Sequence, residues 1–410
     1  MISTNSCPNC ARHPWARNSR SSGQVRQTRA TARARDERAG SAVHASGAGV
    51  GRARPGIVRD GGIAGRGWTQ PGGRPHAEAI ALAQAGERAA GATAYVSLEP
   101  CAHYGKTPPC AEALVQAGIG RVVSALTDPD PRVAGRGHAR LRAAGIELLE
   151  GIEAQTARQA NAGFLSRVQR GRPLLTLKLA MTLDARIATA TGQSRWITGP
   201  QARRRVHLMR ATHDAVLIGA GTARADNPDL SVRDLGIARQ PVRIVADARL
   251  GLSPDSRLGR SLDLAPVWLL HGPQAPVDAQ EMWAELGATL IPCALDPMGR
   301  LDMRDALARL GARGLTRVLC EGGGGLAASL VRDDLVDDLS VFSAGHLFGA
   351  DGTAGLAALG VTGIEPHRWH LHGAQAIGQD LMHVWRRVGG ALDATAGASS
   401  AKALNLETNS

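Results

Sequence analysis

The chain has few aromatic residues, few cysteines and no long apolar run. Aromatic side chains make up 3% of its 410 residues, although 43% of the residues are hydrophobic and 50 are glycine. No apolar run approaches the roughly 18 residues that a membrane-spanning helix needs. The segment after Met1 also lacks the apolar centre of a secretory signal peptide. We therefore expect neither a membrane partner nor secretion.

Cysteine is sparse, with six residues in a chain of 410. This low density argues against a disulfide scaffold and suits the reducing environment of the cytoplasm, where we expect the protein. Cys7-Pro-Asn-Cys10 has the spacing of a metal or redox motif. No second pair with that spacing and no pair of histidines lies nearby, so we interpret it as a chance occurrence.

The net charge of +12 is concentrated at one end of the chain. Residues 1–55 hold ten arginines against Asp36 and Glu37, which gives +8 and leaves +4 for the other 355 residues. A basic chain can indicate a nucleic-acid partner. Because the remainder is nearly balanced and shows no basic face studded with aromatics, we expect no such partner. A nucleic-acid-binding or nucleic-acid-editing protein that uses the arginine-rich segment is the less favoured alternative.

The patterning divides the chain into five segments. Residues 1–55 lack a sustained apolar period and are predicted to be disordered; a transit peptide and a misread stretch of the gene both fit them. Strands and helices alternate over residues 56–152 and again over residues 173–388, which predicts two α/β domains. Residues 153–172 are predicted to form a helix and basic linker, and residues 389–410 a disordered tail.

Alternation and turn residues locate the individual elements. In the first half they predict a strand–turn–strand unit at 57–65, helices from His76, from Cys110 and over 133–144, and strands at 93–98, 121–126 and 146–149. In the second half they predict strands at 174–180, 215–218, 242–245, 267–270, 316–319, 339–342 and 381–384, and helices around 200–211, 279–286, 303–310 and 325–331.

A candidate metal site lies between Pro75 and Cys110. His76, Cys101 and Cys110 can supply three zinc ligands and leave the fourth tetrahedral position for a water, whose proton Glu78 can move. His76 and Cys110 precede predicted helices, whose N-termini favour the thiolate. The alternative is a helix-capping histidine and two unrelated buried cysteines. The coincidence of three candidate ligands and a base within 35 residues disfavours it.

Further motifs accompany these residues in both halves. The first half contains Leu98-Glu-Pro-Cys-Ala-His-Tyr-Gly-Lys-Thr-Pro-Pro-Cys110, Asp128-Pro-Asp-Pro and Val133-Ala-Gly-Arg-Gly; the second contains Lys178 to Ile187, Ser194-Arg-Trp-Ile-Thr, Asp226-Asn-Pro-Asp-Leu and Glu321-Gly-Gly-Gly-Gly. From about residue 56 to 388, the chain resembles the bifunctional deaminase/reductase family of riboflavin biosynthesis. The eight residues between Cys101 and Cys110 separate it from cytidine and nucleic-acid deaminases, which usually have two.

The resemblance implies a fold and two reactions. The expected fold is a cytidine-deaminase-like αβα sandwich followed by a dihydrofolate-reductase-like α/β domain. The first domain would use one Zn²⁺ per chain to deaminate a diaminopyrimidinone that bears a ribosyl phosphate. The second would use NADPH to reduce the ribosyl group to ribityl. A homo-oligomer is expected, and a reductase-only protein with a defective deaminase is the main alternative.

The same resemblance assigns residues to roles. Glu78 would be catalytic, and Lys106, with His103 on weaker grounds, would meet the deaminase substrate. In the reductase the implied substrate contacts are Ser194, Arg210, Leu230, Arg233 and Glu321. The implied cofactor contacts are Ala180, Trp196, Thr222, Asp226, Gly323, Gly324, Gly325, Leu326, Ala327, Ala328 and Ser329. Taken alone, the glycine-rich turn before residue 326 could equally be a flexible turn or a phosphate loop.

The chain departs from the family pattern in two places. The helix and Pro-Asn-Pro strand that usually precede the Asp60-Gly turn have no counterpart in residues 1–55, which puts a central strand and a substrate-binding Asn in doubt. In the reductase half, Thr182 and Ala185 replace the usual Ser and Gly of one turn. We expect the added methyl at Ala185 to cost little unless φ is positive there.

Overall fold

A computed structural model describes residues 56–70, 73–104, 108–363 and 368–390. The arginine-rich segment with its Cys7–Cys10 motif, Lys106 and the tail from residue 391 lie outside the described residues. Within the described residues the chain forms two separate main sheets, of five and nine strands, in the order that the alternating pattern predicts.

The first sheet has the strand order β2-β1-β3-β4-β5. Strands β1 and β2 form an antiparallel hairpin, β1 pairs antiparallel with β3, and β3, β4 and β5 are parallel. The strands are β1 Gly56–Arg59, β2 Gly62–Arg66, β3 Thr93–Val96, β4 Arg121–Ser124 and β5 Glu147–Glu150. Its helices are α1 Ala77–Ala85, α2 Cys110–Gln116 and α3 Arg136–Ala143.

Helix α1 packs closely against the first sheet. Its buried face is made of alanines, among them Ala77 and Ala81, and a Cβ on Gly65 or Gly67 would collide with their main-chain oxygens. Small side chains on both sides therefore set the short distance between the helix and the hairpin, and His76 stands at the N-terminus of α1.

Helix α4, Ala154–Arg170, joins the two sheets and packs against both. Ala157 and Leu165 are buried in a cluster with Ala125 and Leu126 of the first unit. On its other side the Arg317 guanidinium donates to the main-chain oxygens of Gln159 and Ala160 at 2.9 and 3.2 Å. The helix predicted in this segment is confirmed, and it is a packed element rather than an exposed connection.

The second sheet has the order β11-β10-β9-β8-β12-β6-β13-β16-β15. The seven strands from β11 to β13 are parallel, and β16 and β15 continue antiparallel. The strands are β6 Leu174–Thr182, β8 Ala215–Gly219, β9 Val242–Ala246, β10 Val267–His271, β11 Thr289–Pro292, β12 Arg317–Cys320, β13 Asp338–Ala344, β15 Trp369–Ile377 and β16 Asp380–Arg387. β7 Arg186–Ala188 and β14 Thr353–Ala354 form a separate ribbon.

Helices cover both faces of this sheet. They are α5 Pro200–Thr212, α6 Ala220–Asp226, α7 Val277–Glu285, α8 Met303–Ala312 and α9 Gly324–Arg332. Alternate residues of β6 face opposite layers: Leu175, Leu177 and Leu179 join the core with α8 and α9, whereas Ala180 packs with α5. The polar residues that share the Ala180 face therefore point toward the side where α5 lies.

The predicted elements are confirmed, with ends displaced by a few residues, and four strands and one helix were missed. Strand β11 has four residues and ends in Pro292. Strand β15 is exposed along most of its length and lacks an apolar stripe, so hydrophobic alternation does not mark it. No helix of the described ranges is long and apolar enough to cross a bilayer.

Ala185→Gly should stabilise the protein, because φ at Ala185 is +60°. A left-handed conformation costs an L-residue roughly 1–2 kcal/mol, and the entropy that glycine adds to the unfolded chain offsets about 0.4–1 kcal/mol of the relief. We expect a melting temperature about 1–4 °C higher in calorimetry. Ala188→Gly, in strand β7 of the same region, is the matched control and should lower the melting temperature. A lower melting temperature for both variants would contradict the proposed backbone strain at Ala185.

Candidate active sites

The three predicted zinc ligands converge at the ends of β3, α1 and α2. His76 Nδ1 lies 3.5 Å from Cys101 Sγ and 3.3 Å from Cys110 Sγ. All three ligand atoms lie within 4.8 Å of one another. Tetrahedral zinc bonds of about 2.0–2.3 Å place neighbouring ligand atoms roughly 3.5 Å apart, so these residues fit the ion. The His76 side chain makes no capping hydrogen bond to α1, which removes the alternative of a capping histidine.

The two thiols are already hydrogen-bonded to each other and to the imidazole. Hydrogen bonds from Cys110 and His76 lower the pKa of Cys101 to about 3, whereas the Cys110 thiol keeps the shared proton and its pKa is raised. The main-chain N–H of Cys110 also donates to Cys101 Sγ at 3.3 Å. The pKa shifts thus favour the thiolate on Cys101, and zinc binding would displace the proton of Cys110.

Glu78 lies on the first turn of α1, beside this triad. Burial raises its carboxyl pKa, and its side chain interacts with the Cys110 thiol. A carboxyl group whose pKa moves toward neutrality next to the metal is suited to take and return a proton. His103 also lies near the site, and its Nδ1 is buried with no hydrogen-bond partner in the described part of the chain.

A cavity of about 730 Å³ lies in the second unit at the carboxyl ends of β6, β8 and β12. This volume suits a small-molecule site. It brings together nine of the predicted reductase residues: Ala180, Ser194, Trp196, Arg210, Thr222, Asp226, Leu230, Arg233 and Glu321. Residues separated by up to 141 positions in the sequence thus meet at one edge of the sheet. They do so because the carboxyl ends of parallel strands all lie at that edge.

The predicted phosphate-loop residues do not line that cavity but lie next to it. Residues 323–329 form the turn and first part of α9. Gly323 has φ +55°, and a Cβ there would lie 2.7 Å from Thr222 Oγ1. Glycine therefore lets the loop approach α6, and the N-terminus of α9 presents free amides beside the cavity.

Arg210 and Glu321 form a buried pair at the floor of the cavity. Arg210 Nε and Nη2 donate to the two carboxylate oxygens at 2.5 and 2.8 Å, and Nη1 donates to the Ser231 oxygen at 2.9 Å. Although burial alone would raise the pKa of Glu321, the attraction of Arg210 lowers it. Three of the five guanidinium donors are thus already engaged within the protein.

Lys178 is a cavity residue that the sequence reasoning did not assign to the site. It lies on β6 on the same face as Ala180, and it shares the cavity with Arg210 and Glu321. Burial lowers the pKa of its ammonium group. The alternation of β6 was the available signal, because it places Lys178 two residues before a predicted cofactor contact.

The remaining predicted contacts lie toward the cavity mouth. Trp196 is 67% exposed, and the Arg203 guanidinium lies 4.7 Å from its ring centroid. Arg233 is exposed, and its Nη1 lies 3.2 Å from Asp229 Oδ2. An exposed arginine and an exposed aromatic ring can both reach a ligand in this opening.

Cys110→Ser should remove zinc from the first unit. A serine hydroxyl at this position does not supply the thiolate that balances and holds the ion. We expect less than about half an equivalent of zinc per chain after dialysis, measured by plasma mass spectrometry, because a three-ligand site has lost one ligand. Cys293→Ser, a buried cysteine of the second unit, is the control and should keep the metal. Stoichiometric zinc in the Cys110 variant would remove this residue from the ligand set.

The ligand geometry, the cavity and the family models together define a zinc deaminase fused to an NADPH-dependent reductase. Residues 30–126 match the cytidine and deoxycytidylate deaminase zinc-binding region, and residues 173–383 match the RibD C-terminal domain. The chain belongs to the RibD family of riboflavin biosynthesis proteins, whose bifunctional deaminase and reductase activities it combines. The deaminase match begins 26 residues before the predicted domain start at residue 56.

Curated relatives and solved structures support this membership. The chain is 43% identical to the riboflavin biosynthesis protein RibD of Escherichia coli, over 72% of this chain and 82% of the relative. It is 40% identical to that of Haemophilus influenzae, over 79% and 88%. A structure of Acinetobacter baumannii RibD superposes with a TM-score of 0.73 at 36% identity, over 82% of this chain and 92% of the other. The predicted fold class, a deaminase-like α/β unit followed by an α/β reductase unit, is confirmed.

A second solved structure carries a more specific name. It is a diaminohydroxyphosphoribosylaminopyrimidine deaminase/5-amino-6-(5-phosphoribosylamino)uracil reductase from Thermotoga maritima. It superposes with a TM-score of 0.71 at 30% identity, over 84% of this chain and 96% of the other.

Proposed function

We propose that this enzyme deaminates a diaminopyrimidinone that bears a ribosyl phosphate and then reduces the ribosyl group to ribityl. The observation that best supports this proposal is the convergence of His76, Cys101 and Cys110 beside Glu78. In the same chain, the second unit brings nine predicted reductase residues together in one cavity. The name of the Thermotoga maritima protein supports this substrate class. We place the deaminase in residues 56–152 and the reductase in residues 173–388.

In the deaminase, the protein supplies ligands and a proton carrier. When bound, zinc supplies the Lewis acidity that makes water a nucleophile at neutral pH. Glu78 would take one proton from that water and pass it to the ring nitrogen. It would then carry the second proton, from the hydroxyl group added to the ring carbon, to the amino group that leaves as ammonia. His103, whose buried Nδ1 is unpaired within the described structure, faces the substrate, and Lys106 is expected to do so from the segment between Tyr104 and Pro108.

In the reductase, the cavity orients substrate and cofactor for hydride transfer, a step in which relative positioning dominates. The free amides of the first turn of α9, within the predicted loop 323–329, would hold the cofactor diphosphate, with Thr222 and Asp226 beside it and Trp196 at the mouth. Arg233 binds the ribose phosphate. Lys178, buried near the Arg210–Glu321 pair, would donate a hydrogen bond to the sugar ring oxygen, which becomes a hydroxyl group when the ring carbon beside it accepts the hydride.

Arg233→Ala should weaken binding of the phosphorylated substrate. Loss of one charged hydrogen bond costs about 1.5–3 kcal/mol, and because Arg233 is exposed we expect the lower end, a rise in KM of roughly tenfold. The KM for NADPH should stay unchanged in steady-state assays. Arg205→Ala on the exposed side of α5 is the matched control. Equal increases in both KM values would contradict the phosphate assignment.

The two activities are tested separately on the purified chain. Ammonia release reports the deaminase and NADPH oxidation with the deaminated substrate reports the reductase. We expect both. NADPH oxidation without ammonia release would instead support the reductase-only alternative, in which the missing counterpart of the family's first helix and strand disables the deaminase.

We also propose a cytoplasmic homo-oligomer with no nucleic-acid partner. Strand β15 is the last strand of its sheet, spans nine residues and is mostly exposed, so its outer edge offers main-chain groups for pairing with a second copy. Sedimentation velocity should show a species larger than the 42.7 kDa of one chain. Steeply salt-dependent binding to DNA or RNA would favour the nucleic-acid alternative.

A further inference from the structure

A buried carboxylate lies two residues before the zinc ligand Cys101. Glu99 is only 3% exposed, and all the hydrogen bonds it accepts in the described structure come from main-chain amides. Oε2 accepts from the N–H groups of Asp128 and Gly135 at 3.1 and 2.9 Å. Oε1 accepts from those of Gly137 and His138 at 2.8 and 3.1 Å.

These four amides belong to the two ends of one segment, residues 128–138, which we name the Glu99 loop. The segment leads from the region after β4 into the first turn of α3. A buried carboxylate is costly unless its oxygens are hydrogen-bonded, and charge-assisted bonds to amides are about twice as strong as neutral ones. The partial positive charge at the start of α3 adds to the attraction. Glu99 therefore fixes both ends of the loop at once.

The Glu99 loop also touches the zinc ligands directly. Val133, near its middle, packs in one buried cluster with Cys101 and Cys110. At the far end, a Cβ on Gly137 would collide with the main-chain oxygen of Pro100, the residue between Glu99 and Cys101. A shift of the loop would thus change the space beside the two sulfurs.

We propose that Glu99 is a positioning residue of the deaminase, which holds the Glu99 loop against the zinc centre as one wall of the substrate site. This inference rests on the proposed deaminase function. Glu99 does not touch the metal or the substrate and acts through the loop, so the zinc ligands keep their places when the carboxylate is replaced.

Glu99→Gln tests the proposal with little change in shape. The amide nitrogen of glutamine must face two N–H donors, so two of the four main-chain amides lose their acceptor. Hydrogen exchange followed by mass spectrometry should show exchange of the 128–138 peptide at least tenfold faster. Deaminase KM should rise at least tenfold with a smaller change in kcat. Zinc content and NADPH oxidation should match the wild type, and the latter reports that the chain is folded.

Two further variants sharpen the test. Gly137→Ala displaces the loop from its other side while it leaves the carboxylate in place, and it should reproduce the rise in KM. Glu147→Gln, an exposed glutamate of β5 in the same unit, is the matched control and should change nothing. Glu99→Asp keeps the charge and should recover part of the protection.

Unchanged exchange in the 128–138 peptide of Glu99→Gln would overturn the proposal, and so would loss of zinc from that variant with the reductase intact. Exchange and metal content do not depend on turnover. If the wild-type chain releases no ammonia, the proposed function fails, whereas the link between Glu99 and its loop is still decided by these two measurements.

Discussion

Glu78→Gln should lower deaminase kcat by about 10³-fold or more while zinc stays bound at one equivalent. The variant keeps the size of the side chain and removes the group that can take a proton, and positioned acid–base groups contribute about 10²–10⁴-fold. We expect the upper part of this range because Glu78 carries the proton in both directions. The assay is ammonia release at saturating substrate, with zinc measured on the same preparation.

The reductase half provides an internal control for this variant. NADPH oxidation by the Glu78 variant should equal that of the wild type, since Glu78 lies in the first unit. Glu87→Gln, an exposed glutamate just after α1, is the matched control and should retain full ammonia release. Turnover above about one tenth of the wild-type rate in Glu78→Gln would exclude its role as the proton carrier.

Arg210→Ala should destabilise the reductase half by about 3–5 kcal/mol. Removing one member of a buried ion pair leaves the other charge uncompensated, and the Arg210 and Glu321 side chains are only 12% and 9% exposed. The variant also loses the bond from Nη1 to the Ser231 oxygen. Urea unfolding followed by circular dichroism measures the loss, and Arg205→Ala on the same helix should leave stability unchanged.

A double-mutant cycle separates the pair from its surroundings. Glu321→Ala combined with Arg210→Ala should cost less than the sum of the two single changes, because the double variant leaves no buried charge. Strict additivity would show that the two side chains do not stabilise each other. If Arg210 chiefly contacts the substrate, as the family resemblance implies, the variant should instead show a rise in substrate KM at unchanged stability. Arg233, which is exposed, is the cleaner test of phosphate binding.

The zinc centre could be predicted from the sequence because its parts lie within a short stretch. His76, Cys101 and Cys110 each lie at the end of a predictable strand or the start of a predictable helix, so local patterning alone brings them together. The Arg210–Glu321 pair could not be predicted in the same way. It depends on how β12 and α5 approach each other across 111 residues, and only the family resemblance named both residues.

Backbone conformation and weak sequence patterning explain why the other features could not be predicted from the sequence. The sequence shows that Ala185 stands where glycine is usual, but the sign of its φ depends on the folded turn. Strand β15 carries His, Gly, Ala and Gln where a buried strand would carry branched apolar residues, so only its pairing with β16 reveals it. The sequence places Glu99 in a motif but reveals no role for it, because its four amide partners lie 29 to 39 positions away.

The packing of α4 has a consequence for attempts to divide this enzyme. Gly163 has no room for a Cβ against Arg317 and Thr316, and the opposite side of the helix shields Leu126. A gene cut on either side of the helix would leave one fragment with an exposed apolar surface and the other with a helix whose apolar face is unpacked. Two monofunctional enzymes made from this chain would need polar residues on these surfaces before either fragment stayed soluble.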